Sequence, residues 1–268
     1  MRILFIGDIY GQPGRRVVRD HLADIVATRA IDLVLANGEN AAAGFGITPP
    51  LVEEILGYGV DLITSGNHIW DKRDILPYWQ HGAADALHPS HKLLRPANYG
   101  AALPGKGLYS GWTRAGERFA VLNLQGRVFM TPLECPFHLA DTLLAGLPPE
   151  CRTVVVDFHA EASSEKQALG WYLDGRVSAV LGTHTHVPTA DERILPQGTA
   201  YQTDVGMTGA YAGVIGSRIE EVLQRMTQGF PARLEPASGD VRLCGTIIET
   251  GAEGKALSIE RLSLLKTD

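Results

Sequence analysis

The chain has few cysteines and no long apolar run. Its 268 residues include three cysteines, Cys135, Cys151 and Cys244, which lie far apart and form no C-x-x-C pair. Such cysteines predict reduced thiols in a cytoplasmic protein and not a disulfide framework. The apolar run 3–6 near the N-terminus is too short for a signal peptide, and no other run approaches the length of a membrane span. We therefore expect a cytoplasmic protein with no membrane partner.

The chain also lacks an excess of positive charge. It carries 24 Lys and Arg against 30 Asp and Glu, which gives a net charge of −6. This balance excludes a general attraction to nucleic acid or anionic lipid, so an anionic substrate would need a local positive centre such as a metal ion. The hydrophobic share of 45% and the charged share of 20% are typical of a globular protein. The length suits a single domain covering residues 1–268.

Short β-like runs alternate with helix-like segments along most of the chain. The predicted strands cover residues 3–6, 33–36, 62–64, 109–112, 119–124, 153–156 and 177–181, with two more inside 240–265. The predicted helices cover residues 13–29, 74–80, 136–144, 164–173 and 220–228, and one more that is capped by Thr48 and has Pro49 at its first position. The alternation, with a hairpin at 109–124, predicts an α/β fold with two mixed sheets.

Polar residues collect at the carboxyl ends of five predicted strands. The groups are Gly7-Asp8, Asn37-Gly38-Glu39-Asn40, Ser65-Gly66-Asn67-His68, Asp157-Phe158-His159 and Gly182-Thr183-His184-Thr185-His186. Ligands of open α/β sheets bind beyond these ends. The groups supply carboxylates, an amide oxygen and imidazoles, and neutral imidazole and anionic carboxylate are the usual ligands of Zn, Fe and Mn. A single Asp or His at such a place is more often structural, but the joint pattern indicates a metal centre.

The last group contains two histidines that are one residue apart. His184 and His186 follow the apolar run 177–181 after Gly182 and Thr183. Side chains of a strand alternate between faces, so the two imidazoles are predicted to point the same way. They would supply half of a metal site, and the other strand ends would supply the rest.

The order of these groups resembles the calcineurin-like metallophosphoesterases, whose pattern is D-x-H, G-D, G-N-H-[DE], H and G-H-x-H. The chain departs from it at Tyr10, Glu39 and Ile69, where His, Asp and an acid are usual. With the residues around them, these departures resemble the bacterial YmdB-type phosphodiesterases, from residue 2 to about residue 217. The resemblance implies a four-layer α/β/β/α sandwich with two mixed sheets and a binuclear metal site at the carboxyl ends of the strands.

The resemblance also implies a role for each residue of the site. One metal ion would be held by Asp8, Glu39, Asn40 and His186. The second would be held by Glu39, Asn67, His159 and His184, with Glu39 as the bridge. The catalytic histidine would be His68. Because Tyr10 replaces an imidazole ligand, Asn40 would fill the gap with a weaker oxygen, which favours Fe or Mn although Zn is possible.

The function implied is a metal-dependent phosphodiesterase acting on cyclic nucleotides, 2′,3′-cyclic nucleotides above all. A metal-bridging hydroxide would attack phosphorus, and His68 would protonate the leaving alkoxide. The resemblance further implies a homo-oligomer, either a dimer or a tetramer. RNA ends are a further candidate partner of the protein. The alternative is a regulatory or RNA-interacting protein whose metal site is mainly structural or slow. Open metal coordination and the spare His68 favour the enzyme.

Some residues near the motifs have competing interpretations. Asp71 either orients His68 or starts a helix, and Asp204 has a structural role. The aromatic residues Trp70, Tyr78 and Trp79 belong to the core or an interface, or else stack a nucleobase. The spacing of Gly7-x-x-x-Gly11-x-x-Gly14 differs from a dinucleotide fingerprint, which we discount.

Overall fold

Two mixed β-sheets form the centre of the protein in a computed structural model that describes residues 1–229 and 231–265. In chain order, the strands of this part are β1 (Arg2–Ile6), β2 (Asp8–Ile9), β3 (Leu33–Asn37), β4 (Leu62–Thr64), β5 (Leu108–Trp112), β6 (Arg118–Gln125), β7 (Thr153–His159), β8 (Ala179–Thr183), β9 (Arg193–Ile194), β10 (Ala200–Gln202), β11 (Met207–Ala210), β12 (Val241–Thr250) and β13 (Ala256–Leu265). The α-helices of this part are α1 (Gly11–Arg29), α2 (Pro49–Gly57), α3 (Ile75–Gly82), α4 (Pro136–Ala145), α5 (Ser163–Tyr172) and α6 (Ile219–Gln228).

Both sheets combine a parallel core with antiparallel strands. The first sheet has the order β2-β11-β12-β1-β3-β4, with β13 also paired to β12. Its strands β1, β3 and β4 are parallel, whereas β12 is antiparallel to β1. The second sheet has the order β5-β6-β7-β8-β10-β9, in which the four inner strands are parallel and the two edge strands antiparallel. The prediction of two mixed sheets is confirmed.

Three apolar layers hold the sheets and helices together. Alternate residues of β1 face opposite ways: Phe5 lies between the two sheets, whereas Leu4 packs with the layer that includes α1 and α2. In the second sheet, Val155 faces the first sheet and Val156 packs with α5. The order of layers is helices, sheet, sheet, helices, as the predicted four-layer sandwich requires.

The predicted elements are present with shifts of a few residues at their ends. The strand predicted at 177–181 lies at Ala179–Thr183. Thr48 occupies the N-cap position of α2, but its side chain makes no capping hydrogen bond within the described residues, so that part of the prediction is wrong. The four short strands β2, β9, β10 and β11 were not predicted. That residues 1–268 form one domain stays a prediction.

Two further features concern the helices and the cysteines of the described residues. None of the helices in residues 1–229 and 231–265 has the length and apolar character that crossing a bilayer requires. Cys135, Cys151 and Cys244 are free thiols, and the last two are buried.

Candidate metal centre

A buried carboxylate, Asp157, joins the carboxyl ends of the two sheets. In the first sheet, Asn37 Nδ2 donates to Asp157 Oδ2 at 3.1 Å, and the hydroxyl of Thr64 donates to the same oxygen. In the second sheet, Thr183 Oγ1 donates to Asp157 Oδ1 at 2.7 Å. Burial raises the pKa of Asp157 to about 6, although these hydrogen bonds oppose the rise. The contacts bring the polar strand ends of both sheets to one place.

Three other predicted ligands converge on the Nε2 atom of His159. The atoms Glu39 Oε1, Asn67 Oδ1 and His184 Nδ1 each lie 3.0 Å from it. One ring nitrogen carries at most one proton, so it cannot donate to all three neighbours. Adjacent ligands of an ion held at about 2.1 Å stand about 3.0 Å apart in octahedral geometry. The donor atoms of these four residues therefore fit a divalent cation.

Neighbouring groups fix which nitrogen of each imidazole faces this point. His159 Nδ1 contacts Thr183 Oγ1 at 2.9 Å, and His184 Nε2 contacts Glu161 Oε2 at 3.1 Å. These contacts leave His159 Nε2 and His184 Nδ1 to act as ligands. Burial, reinforced by the nearby His159, lowers the pKa of His184 to about 3, which keeps its imidazole neutral. Neutral imidazole is the form that binds metal.

Glu39 and His159 form a coupled buried pair. Burial would lower the pKa of His159, but the adjacent Glu39 carboxylate outweighs it and raises that pKa. Burial would likewise raise the pKa of Glu39, but His159 and the backbone N–H of His68 lower it. The pair thus holds a proton, and a cation at the same place would displace that proton.

The other predicted ligands, Asp8, Asn40 and His186, present atoms without partners. Asp8 Oδ1 and Asn40 Oδ1 are buried and accept no hydrogen bond within the described residues. Asn40 Nδ2 donates to the carbonyl of Gly44 at 2.9 Å, which leaves the amide oxygen free. His186 Nδ1 donates to the carbonyl of Ile215 at 2.8 Å, which leaves Nε2 free. Leaving a buried polar atom unsatisfied costs about 1–3 kcal/mol, so these atoms also fit a cation.

The two predicted ligand sets differ in how closely they converge. Within residues 1–229 and 231–265, the His, Cys, Asp and Glu residues whose ligand atoms gather within 4.8 Å are Glu39, His159 and His184. Asp8 is connected to this group through its Oδ2, which accepts from the backbone N–H of His184 at 3.3 Å. The structure thus brings the second predicted set together, whereas Asp8 and His186 lie outside the tight cluster.

Tyr10 stands where the resembling family has a histidine ligand. Its hydroxyl lies 2.7 Å from Ser217 Oγ, and its ring packs edge-on against His186 at 5.5 Å. Burial raises the pKa of Tyr10, so the phenol stays protonated. The side chain therefore supports the His186 ring, and its hydroxyl is engaged by Ser217.

The strand argument for His184 and His186 is wrong. Strand β8 ends at Thr183, and the two histidines have φ values of +104° and +66°, which no strand residue adopts. Both nevertheless line one cavity, as does Thr185 between them. Thr185 donates its N–H and its hydroxyl to Asp204 Oδ2, at 3.1 Å and 2.8 Å. Asp204 also forms a buried ion pair with Lys166 at 2.6 Å, in line with its predicted structural role.

His68 lies beside the cluster on a short 3-10 helix, Asn67–Trp70. Its Nδ1 is 2.9 Å from Asp71 Oδ2, which leaves Nε2 available to a substrate. Helix α3 begins only at Ile75, so Asp71 is not a helix-start residue. Phe45 packs edge-on against the imidazole at 5.1 Å.

A cavity of about 630 Å³ opens over these residues. Its polar side includes Glu39, Asn40, His68, His184 and His186. The same cavity has an apolar wall that includes Ile215, Val222, Met226 and Leu234. The volume lies in the range that holds a nucleotide-sized ligand. Sequence reasoning missed this wall, and Glu161 as well, because no motif marks either.

The aromatic residues near His68 belong mainly to the core. Tyr78 and Trp79 are buried, and Trp70 packs against Trp79 and Tyr99. The core interpretation is confirmed for Tyr78 and Trp79. None of the three lines the cavity over the metal cluster.

The fold of the chain is shared with a known class of proteins. The structure superposes on a 5′-nucleotidase precursor from Thermus thermophilus with a TM-score of 0.58 at 14% identity, over 99% of this chain and 54% of that one, a likeness of fold alone. The fold is that of the calcineurin-like metallophosphoesterases.

The family follows from likeness over the whole chain. The family model described as "YmdB-like protein" matches residues 4–262. The 2′,3′-cyclic-nucleotide 2′-phosphodiesterase of Bacillus subtilis (strain 168) is 46% identical over 98% of this chain and 96% of its own length. A hypothetical protein from Thermus thermophilus, of known crystal structure, is 43% identical with a TM-score of 0.91 over 100% of both chains. The chain belongs to the YmdB-like protein family.

Proposed function

We propose that the protein is a metal-dependent phosphodiesterase that hydrolyses cyclic nucleotides, 2′,3′-cyclic nucleotides above all. The observation that carries the proposal is the convergence of Glu39, Asn67 and His184 on His159 at 3.0 Å, at the base of a cavity of about 630 Å³. The 46% identity to the Bacillus subtilis phosphodiesterase supports the reaction class.

Two divalent ions, with Fe or Mn favoured over Zn, fit the donor atoms. We assign one to Asp8, Glu39, Asn40 and His186, and the other to Glu39, Asn67, His159 and His184, with Glu39 shared. When bound, the ions supply Lewis-acid activation of the attacking water and neutralise charge on the phosphoryl oxygens. The unpartnered oxygens of Asp8 and Asn40 support the first assignment.

The remaining chemistry belongs to His68. The contact of its Nδ1 with Asp71 sets the ring orientation, so Nε2 faces the substrate and donates a proton to the leaving alkoxide. Phe45 packs on the same imidazole and limits its rotation. The apolar wall formed by Ile215, Val222 and Met226 receives the nucleoside.

Replacement of His68 tests the proposal. We expect His68→Ala to lower turnover of 2′,3′-cyclic AMP by about 10²–10⁴-fold while metal content stays the same, because the imidazole acts as an acid and not as a ligand. His138→Ala, at an exposed histidine on α4, is the matched control and should retain activity. A chelator should abolish hydrolysis by the native protein, and added Mn should restore it.

Two results would count against the proposal. Unchanged turnover of 2′,3′-cyclic AMP by His68→Ala would refute the role of His68, because its alkoxide leaving group needs a proton. Bound metal without hydrolysis of any cyclic or linear diester would favour the regulatory or RNA-interacting alternative. Anomalous scattering at the Mn, Fe and Zn edges identifies the ions and their ligands. A cytoplasmic location, a homo-oligomer and action on RNA ends stay predictions.

A further inference from the structure

A second cavity, of about 450 Å³, lies next to the metal cavity and is lined by cations. We call it the basic groove and define it by Lys72, Arg218, Arg225 and Arg233. One carboxylate, Glu235, also lines it. This excess of positive charge contrasts with the net charge of −6 for the chain, so the cations are concentrated locally.

Most cations of the basic groove are unpaired. Arg218 forms ion pairs with Glu235 at 2.9 Å and Glu221 at 3.8 Å. Lys72, Arg225 and Arg233 form no ion pair with any residue in the described ranges 1–229 and 231–265. Like charges held close together repel each other, and a bound anion would relieve that repulsion. The groove therefore suits a ligand with at least one negative charge.

The basic groove is continuous with the metal cavity. Phe45, Arg225 and Leu234 line both cavities, so Arg225 lies at their junction. Arg225 is exposed on the last turn of α6, and its guanidinium can bind a phosphate through two parallel N–H donors. A ligand that occupies the metal cavity can therefore extend past Arg225 into the groove.

We propose that the basic groove binds a second phosphate of the substrate, carried on the 5′ oxygen of the nucleotide whose 2′,3′-cyclic phosphate is cleaved. The inference rests on the proposed function. In a nucleoside 2′,3′-cyclic phosphate the 2′ and 3′ hydroxyls are both esterified. The 5′ oxygen is therefore the position on the ribose at which a further phosphate or nucleotide can be attached. The second phosphate is either a terminal 5′-phosphate or the internucleotide phosphate of an oligonucleotide.

Three substrates with one cyclic end test this inference. They are adenosine 2′,3′-cyclic phosphate, its 5′-phosphorylated form, and the dinucleotide ApA that ends in a 2′,3′-cyclic phosphate. For the native protein we expect kcat/KM to be about tenfold higher for the second and third than for the first, because a charge-assisted contact to phosphate is added. Higher salt should shrink this advantage, because it screens the exposed cations.

Charge-removing variants locate the contact. Arg225→Gln and Arg233→Gln should each lower the ratio of kcat/KM between the phosphorylated substrate and adenosine 2′,3′-cyclic phosphate, by about three- to tenfold. Arg225→Lys should recover part of the loss, because it restores charge without the fork of donors. The matched control is Arg114→Gln. Arg114 lies in the turn between β5 and β6, at the end of the sheet opposite to the metal cluster. The ratio of this variant should equal that of the native protein.

Each other outcome decides against the inference in a recognisable way. Equal kcat/KM for all three substrates would overturn it and leave the proposed function intact. A gain for the dinucleotide alone that persists in Arg225→Gln and Arg233→Gln would assign the contact to the second base and also overturn it. A ratio that Arg225→Gln and Arg233→Gln do not change would exclude the basic groove as the phosphate site. No hydrolysis of any of the three would remove the proposed function and this inference together.

Discussion

A buried ion pair between Lys166 and Asp204 anchors the loop that carries His184 and His186. Removing one partner of this pair should destabilise the protein strongly. Lys166 and Asp204 are both about 1% exposed, and Lys166 Nζ lies 2.6 Å from Asp204 Oδ2. Lys166→Met fills a similar volume but leaves the Asp204 carboxylate buried without a countercharge. Removal of one partner from such a pair costs about 3–5 kcal/mol.

The expected loss lies at the lower end of that range. Asp204 keeps three hydrogen bonds, two from Thr185 and one from the backbone N–H of Gly206 at 2.9 Å. These bonds stabilise the charge in part, so we expect about 3 kcal/mol. The double variant Lys166→Met/Asp204→Asn removes the charge as well. It should lose less, about 1–2 kcal/mol, because it leaves neutral N–H donors without an acceptor instead of a charge unpaired.

Urea unfolding of the metal-depleted protein measures these losses without a contribution from bound metal. Lys106→Met, at an exposed lysine, is the control and should match the native midpoint. The metal-loaded proteins provide a second measurement: Lys166→Met should also weaken metal binding, because Thr185 stands between two proposed ligands. The reasoning is refuted if Lys166→Met costs under about 1 kcal/mol, or if the double variant is less stable than Lys166→Met.

Two further predictions concern the metal cluster itself. Gly66→Ala would place a Cβ 2.2 Å from His159 Nε2, so we expect this variant to lose metal while its circular dichroism spectrum stays near-native. The control is Gly57→Ala at the end of α2, where a Cβ would meet no atom within 4 Å, and it should bind metal normally. Equal metal content in the two variants would contradict this prediction. Thr183→Val removes the hydroxyl between His159 and Asp157, and metal titration should show about 10–100-fold weaker affinity, with native affinity as the contrary result.

Long periodic elements could be predicted from the sequence because their apolar residues report burial directly. Helix α1, predicted at 13–29, lies at Gly11–Arg29 with Val17, Val18 and Leu22 buried. Strands β9, β10 and β11 could not be predicted in this way, because elements of two to four residues contain too few positions to show a period. Strand β10 pairs with β8 and β9, and β11 pairs with β12. These pairings depend on the tertiary fold.

The residues of the candidate site could be predicted from the sequence, but their geometry could not. Strand-end placement correctly put Glu39, His159 and His184 together, since the carboxyl ends of parallel strands share one edge of a sheet. The strand period failed for His184 and His186 because their direction is set by positive φ values and by the anchoring of Thr185. No local pattern shows that a carboxylate 19 residues further along the chain provides that anchor.

The cavity has one side that buried hydrogen bonds anchor and another whose side chains are exposed, and the two sides should have different roles. The metal side is held by buried carboxylates, Asp157 and Asp204, each of which accepts at least three hydrogen bonds or ion-pair contacts. The apolar wall carries exposed side chains such as Ile215 and Met226, at 55% and 75% exposure. Substitutions on the wall should therefore change which nucleotide binds without changing metal affinity, whereas substitutions around the two carboxylates should change metal affinity first.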